Sequence, residues 1–133
     1  METAIISNYV KDEDGKNLGL IVAALIDEKT FNIDYSMIHY FEEKKFDKNL
    51  ANQIAVNRTL QARKNRVKMR IMNYDILHAY MDMIARSFRY FKDCEPSEKV
   101  KWIMEKYNFK NFGRSYSYTT NPNNVEPRYV EYD

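Results

Sequence analysis

Cysteine is almost missing from this chain: Cys94 stands alone among 133 residues. A single thiol closes no internal disulfide, and no CxxC or Cys/His cluster is there to hold zinc, so a reducing compartment and a fold without metal or other cofactor are expected. Cys94 reads as a half-buried small apolar residue. Histidine is nearly as scarce. His39 and His78 fall in different predicted elements, neither beside a Ser, Cys or acid in a triad-like arrangement, so nucleophilic catalysis has little to be built from. His39 reads as a strand-end polar residue and His78 as a surface one. The three glycines, Gly15, Gly19 and Gly113, are too scattered for a GxGxxG or GxxxxGK[ST] phosphate loop. The longest apolar run, Leu18 to Ile26, is far short of the roughly 20 residues a membrane span needs. The acidic start lacks the basic opening of a signal peptide, which points to the cytoplasm and away from a membrane.

What the chain does have is charge, sorted along its length. Residues 44–70 carry nine Lys/Arg against one acid, Asp47. Residues 1–43 carry three Lys/Arg and nine Asp/Glu, and residues 71–133 carry nine of each. A net charge of +2 thus conceals an acidic third, a strongly basic stretch and a neutral remainder. Polarisation of this kind speaks about partners more than about fold. With 44% hydrophobic residues and few Gly or Pro, the composition is that of an ordered globular chain, and the length suits one domain over 1–133.

Three short segments rich in Ile, Val and Tyr, Ala4 to Val10, Leu18 to Ile26 and Phe31 to His39, are separated by Asp14-Gly15 and by Asp27-Glu28-Lys29-Thr30. They predict an antiparallel meander. The second is apolar on both faces, as a central strand covered by helices would be. In the third, Phe31, Ile33, Tyr35 and Met37 alternate with Asn32, Asp34 and Ser36, predicting one buried and one wet face. Phe46, Leu50, Ile54, Val56 and Leu60 share one arc of a helical wheel and predict an amphipathic helix with that arc inward. From Arg66 to Met72 the period changes to two, Val67, Met69 and Ile71 alternating with Arg66, Lys68 and Arg70, which predicts a strand with one basic face; continuation of the helix is the competing reading. Asn73 is a suitable N-cap for a helix whose inner face is Leu77, Met81, Ile84, Phe88 and Phe91 and whose outer face carries Asp75, His78, Asp82, Arg86 and Arg89. A shorter helix is predicted from Pro96 to Tyr107, with Val100, Ile103, Met104 and Tyr107 inward. An aromatic tail, 108–133, follows, in which Ser115 to Thr119 suits a further strand. The fold class is therefore α+β: an N-terminal antiparallel β-meander packed against two longer helices and a short C-terminal one.

No reaction is named by these residues, and an enzyme is not expected. A metal-dependent nuclease needs carboxylates converging on a cation with a Lys nearby. Asp27-Glu28-Lys29 and Glu42-Glu43-Lys44 have the acid-x-Lys spacing, but Asp14 and the first triplet would lie at opposite ends of one strand, and the second triplet reads as a solvated turn near Asp34. The basic stretch is the stronger feature. Arg58, Arg63, Lys64, Arg66, Lys68 and Arg70, with Arg86 and Arg89 from the next helix, could neutralise several phosphates of a nucleic acid without reading its sequence. The same residues would equally meet an acidic protein surface, pair with the N-terminal acids across a homodimer, or stand simply solvated.

Val22-Ala23, Ser36, Phe46-Asp47-Lys48, Leu50, Ile54-Ala55, Arg58 and Tyr90-Phe91-Lys92 form a spaced pattern between Leu20 and Lys92. In it the chain resembles a group of small uncharacterised bacteriophage proteins, with Asp34-Tyr35 where those proteins carry Gly-Trp. The resemblance implies a viral origin and a place in the host cytoplasm, and it brings no known activity to carry over. Two roles then compete: a nucleic-acid-binding accessory protein, and an inhibitor docking on a host or anti-phage defence enzyme.

Overall fold

The computed structural model describes residues 4–37, 48–61, 74–113 and 115–119. Three strands, β1 (Ile5–Lys11), β2 (Asn17–Leu25) and β3 (Thr30–Met37), form the expected meander, β2 in the centre. Its two turns are set by aspartates. Asp12 accepts from the backbone N–H groups of Asp14 and Lys16, each at 2.9 Å, and Gly15 takes the left-handed conformation (φ 80°) that closes the first turn. Asp27 does the same for Lys29 in the second turn, at 2.9 Å. Register follows: Ile21 lies between Asn8 and Tyr35, and Ala23 between Ile6 and Ile33.

The remaining described elements are α1 (Lys48–Leu60), α2 (Tyr74–Tyr90), the short β4 (Glu95–Pro96), α3 (Glu98–Lys106), β5 (Lys110–Phe112) and β6 (Ser115–Ser117). β4 pairs parallel to the start of β3, with Glu95 N–H donating to Lys29 C=O at 2.7 Å and Ser97 N–H to Phe31 C=O at 2.8 Å. Pro96 is thus a strand residue opposite Phe31, and the first turn of α3 is capped by the Ser97 hydroxyl, which accepts from Val100 N–H. A proline that would suit a helix start is displaced because edge pairing to β3 is available one residue earlier.

Helices cover both faces of the sheet. On one face Ile21, Ala23, Phe31, Ile33 and Tyr35 meet Leu77, Met81, Ile84 and Phe91 of α2 and its end, with Val100, Ile103 and Tyr107 of α3 closing the layer. These are the inner residues that the four-three spacing picks out, and each such side chain stabilises by about 1.5–3 kcal/mol on burial. Phe31 anchors the layer, edge-on to Phe88 (5.5 Å) and stacked on Phe91 (5.8 Å). The β5–β6 hairpin packs beside it through Phe109 and Tyr116.

The opposite face departs from expectation. Asn32, Asp34 and Ser36 are buried, because α1 lies over β2 and β3 on that side. The helix also turns a different side inward: Ala51, Ala55 and Thr59 are buried against Leu20 and Val22, while Leu50 and Leu60 are 53% and 40% exposed. Small side chains let the helix backbone approach the sheet closely enough to bond polar strand residues, and larger ones would hold it off. The predicted strand from Arg66 to Met72 and the predicted cap at Asn73 lie outside the described residues, as does His39.

Candidate nucleic-acid interface

The seat of α1 fixes which of its residues face out. Behind it runs a ladder of buried polar contacts: Ser36 donates to Ala51 C=O at 2.8 Å, Asn32 to Thr59 C=O at 3.0 Å, and the single Thr59 hydroxyl proton is shared between Ala55 C=O at 2.7 Å and the more distant Val22 C=O at 3.3 Å. α3 joins from the side, Ser97 donating to Asn32 Oδ1 at 2.6 Å and Lys99 to Asp34 Oδ2 at 2.5 Å. Buried polar groups are costly unless paired, so this set holds α1 in one rotation and register.

With Ala51, Ala55 and Thr59 turned in, the outer surface of α1 presents Asn49, Asn52, Gln53, Asn57, Arg58 and Gln61. No carboxylate occurs from Lys48 to Gln61. Amides and cations without a competing acid are a surface able to donate hydrogen bonds to phosphate oxygens. At its start, the Lys48 ammonium stands 5.4 Å from the centroid of the Tyr9 ring on β1. At its other end, Arg58 donates through Nη1 to Tyr35 C=O at 3.0 Å, which clips the helix to β3 and commits one edge of the guanidinium to the fold.

Of the eight basic residues singled out from the sequence, the three among the described residues, Arg58, Arg86 and Arg89, do not share one face. Arg63, Lys64, Arg66, Lys68 and Arg70 follow α1 and lie outside the described residues. Arg86 and Arg89 are exposed on α2, which packs on the opposite side of the sheet from Arg58. Their separation has a simple cause: α1 and α2 sandwich the sheet, so outward residues of one point away from those of the other.

A second polar constellation lies on α2. His78 Nδ1 is hydrogen-bonded to the Tyr118 hydroxyl just beyond β6, and its Nε2 stands 4.0 Å from Asp82 Oδ2 one helical turn on. Burial raises the Asp82 pKa above its ordinary value, opposed in part by the charges of His78 and Arg86. The sequence gives His78 only as a surface residue; its partner lies 40 positions away, beyond the reach of local pattern. Among the described residues no group of three or more His, Cys, Asp or Glu is placed to hold a metal ion, and no helix is long and apolar enough to cross a membrane.

These features define a class by architecture and surface: an α+β protein with helices on both faces of a short sheet, one of them amide-rich and free of carboxylates. No family model, curated protein or solved structure matches the chain.

Proposed function

We propose that the protein acts by binding, contacting nucleic-acid phosphates without sequence preference through the outer surface of α1 and the basic residues that follow it, as a phage-type accessory protein. One observation carries this reading. The polar residues of α1 left outward by its buried ladder are amides and cations with no carboxylate among them, beside the exposed Leu50 and Leu60, and the chain continues from them into Arg63, Lys64, Arg66, Lys68 and Arg70. Such a surface attracts polyanions by counterion release, so affinity must rise steeply as salt falls. Arg58 serves mainly to seat the helix, and Arg86 and Arg89 stand apart from this surface.

A second reading draws on Leu50 and Leu60, exposed on the same helix. Apolar side chains beside cations also suit an acidic protein surface, as an inhibitor of a host or defence enzyme would require. Titration of labelled random oligonucleotides, single- and double-stranded, at low and high salt separates the two. Salt-sensitive binding lost on charge reversal at Arg66, Lys68 and Arg70 supports the first. No binding even at low salt, with a host protein retained by the immobilised wild type and released by the same reversal, replaces it with the second.

A further inference from the structure

The outward stripe of α2 changes sign along its length. Asp82 is followed at helical spacing by Arg86, Arg89 and Tyr90, and Lys92 and Asp93 stand just past the helix end. Arg86, Arg89 and Lys92 are exposed. The Tyr90 ring, edge-on to Phe91 at 5.0 Å, is 58% exposed. Arg86 acts on Asp82 through space, while Arg89 and Lys92 form no ion pair among the described residues. The turn between β1 and β2 carries the inverse pattern: Asp12, Glu13 and Asp14 lie between Lys11 and Lys16. Glu13 and Asp14 are exposed and likewise form no ion pair among the described residues. This tip is held from within, Asp12 N–H donating to Lys16 C=O at 2.9 Å and Gly15 N–H to Asp12 C=O at 3.1 Å. Its carboxylates are therefore presented with little ordering left to do.

We infer that the acidic tip of one molecule docks on the Arg86, Arg89 and Tyr90 patch of a second copy, so that the protein self-associates head to tail. This contact goes beyond the nucleic-acid reading and does not depend on it. Distance is the first argument for a second copy. The tip precedes Asn17 at the start of β2, whereas the end of α2 packs at the far end of that strand, where Leu25 pairs with Phe31 and Phe31 meets Phe88 and Phe91. Nine residues of strand hold them roughly 25–30 Å apart at about 3.3 Å each, so they do not meet within one chain. The order of charges is the second. Cations bracketed by Asp82 and Asp93 suit carboxylates bracketed by lysines, because Lys11 and Lys16 then face the bracketing acids. A polyanion has no such break and meets like charge on either side of the patch. Tyr90 adds contact area, and Tyr and Arg are the side chains that dominate protein contacts. Exposed ion pairs contribute little one by one, so the association is weak and salt-sensitive. Two unlike surfaces meet, so each molecule gives its tip to one neighbour and receives a tip from another.

The experiment is analytical ultracentrifugation of the full chain, free of nucleic acid, over a range of concentrations. The samples are wild type, a patch variant (Arg86→Glu with Arg89→Glu), a tip variant (Glu13→Lys with Asp14→Lys) and Tyr90→Ala, each checked by thermal melting. Wild type should associate as concentration rises, and less so on going from about 50 to about 500 mM salt, where exposed charges are screened. Each reversed variant alone should be monomeric, since its tip and patch now share one sign. Mixed in equal amounts the two should associate again, because an acidic tip meets an unaltered patch and a reversed tip meets a reversed patch. Tyr90→Ala should weaken association by about fivefold or more. A wild type that stays monomeric at low salt up to roughly 1 mM overturns the inference. So does association that survives either reversal, or that the mixture fails to restore. Oligonucleotide binding lost in the patch variant, without self-association of wild type, gives the patch to nucleic acid and overturns it too.

Discussion

Lys99 on α3 donates to Asp34 on β3 across 2.5 Å, with side chains only 8% and 1% exposed. The second Asp34 oxygen accepts from Tyr35 N–H at 2.8 Å, so the carboxylate is bonded on both sides. Removing one partner of a buried pair strands the other charge, which costs about 3–5 kcal/mol. Lys99→Met is therefore expected to destabilise by that amount at neutral pH in urea unfolding. Combining it with Asp34→Asn should recover a large part, because the stranded charge goes too. A cost under about 1 kcal/mol for Lys99→Met alone would mean that the pair does not tie α3 to the sheet.

The inner surface of α1 makes the next expectation. Ala55 is fully buried against β2 and β3, where an added side chain must push the helix off the polar ladder. Ala55→Leu should cost about 1–3 kcal/mol or more through overpacking. Leu50→Gln and Leu60→Gln remove larger apolar groups yet should change stability by no more than about 0.5 kcal/mol, since both residues face outward. Thermal melts of the three variants check the rotation of the helix. The reverse order of costs would restore the arc of large hydrophobics as the inner one.

Strands were legible because period-two alternation was bounded by Asp-Gly and Asp-Glu-Lys-Thr turns, and β2 could be placed centrally because it is apolar on both faces. α2 was legible because its apolar side chains are large and keep helical spacing. What was hidden is what lies over β3. Alternation tells which residues share a face, not whether that face is wet, and the groups that satisfy Ser36, Asn32 and Asp34 lie 15, 27 and 65 positions away. α1 misled for a related reason. Counting hydrophobic residues favours Leu over Ala, whereas close packing on a polar strand favours Ala and Thr. β4 is two residues long and carries no pattern at all. Of the proposed interface, the charge was visible in sequence; the amide-rich outer side of α1 became visible only once the inner side was known.

Asp82 gives a pH dependence with a definite sign. Burial raises its pKa above the ordinary 3.8, so the folded protein holds the proton to higher pH than the unfolded chain does. Stability contributed by this group therefore falls as pH rises from the unfolded value through the folded one, and levels off above it. Asp82→Asn abolishes the titration. The stability of the variant relative to wild type should grow over that acidic window and stay constant towards neutrality. The attractions of His78 and Arg86 keep the effect small, and denaturant midpoints at closely spaced pH values measure it. A difference that is flat, or falls, with rising pH would show that burial is not the governing cause.

The Tyr118 hydroxyl makes a hydrogen bond between the segment after β6 and α2 at His78, and the ring of Tyr118 also stacks on Tyr116 at 6.2 Å. Tyr118→Phe keeps the stacking and deletes the hydrogen bond. A cost of about 0.5–1.5 kcal/mol is expected, expressed locally as faster amide exchange in Lys110–Phe112 and Ser115–Ser117 with little change in β2. Equal acceleration in both places would mean that the hairpin and the sheet open together.

Arg58 separates a seating role from a binding role within one helix. Its bond to Tyr35 C=O ties the end of α1 to β3, whereas Arg66, Lys68 and Arg70 enter the proposal only as charge. Arg58→Gln should therefore cost about 0.5–1.5 kcal/mol of stability and lower the salt slope of oligonucleotide binding by at most about one unit. Reversal of Arg66, Lys68 and Arg70 to Glu should weaken oligonucleotide binding far more steeply at low salt than at high salt, because each reversal both removes a phosphate contact and adds a repulsion. Denaturation midpoints and salt-dependent anisotropy on the same preparations make the comparison. If Arg58→Gln leaves stability unchanged and abolishes binding, the guanidinium belongs to the interface and α1 is held by its buried ladder alone.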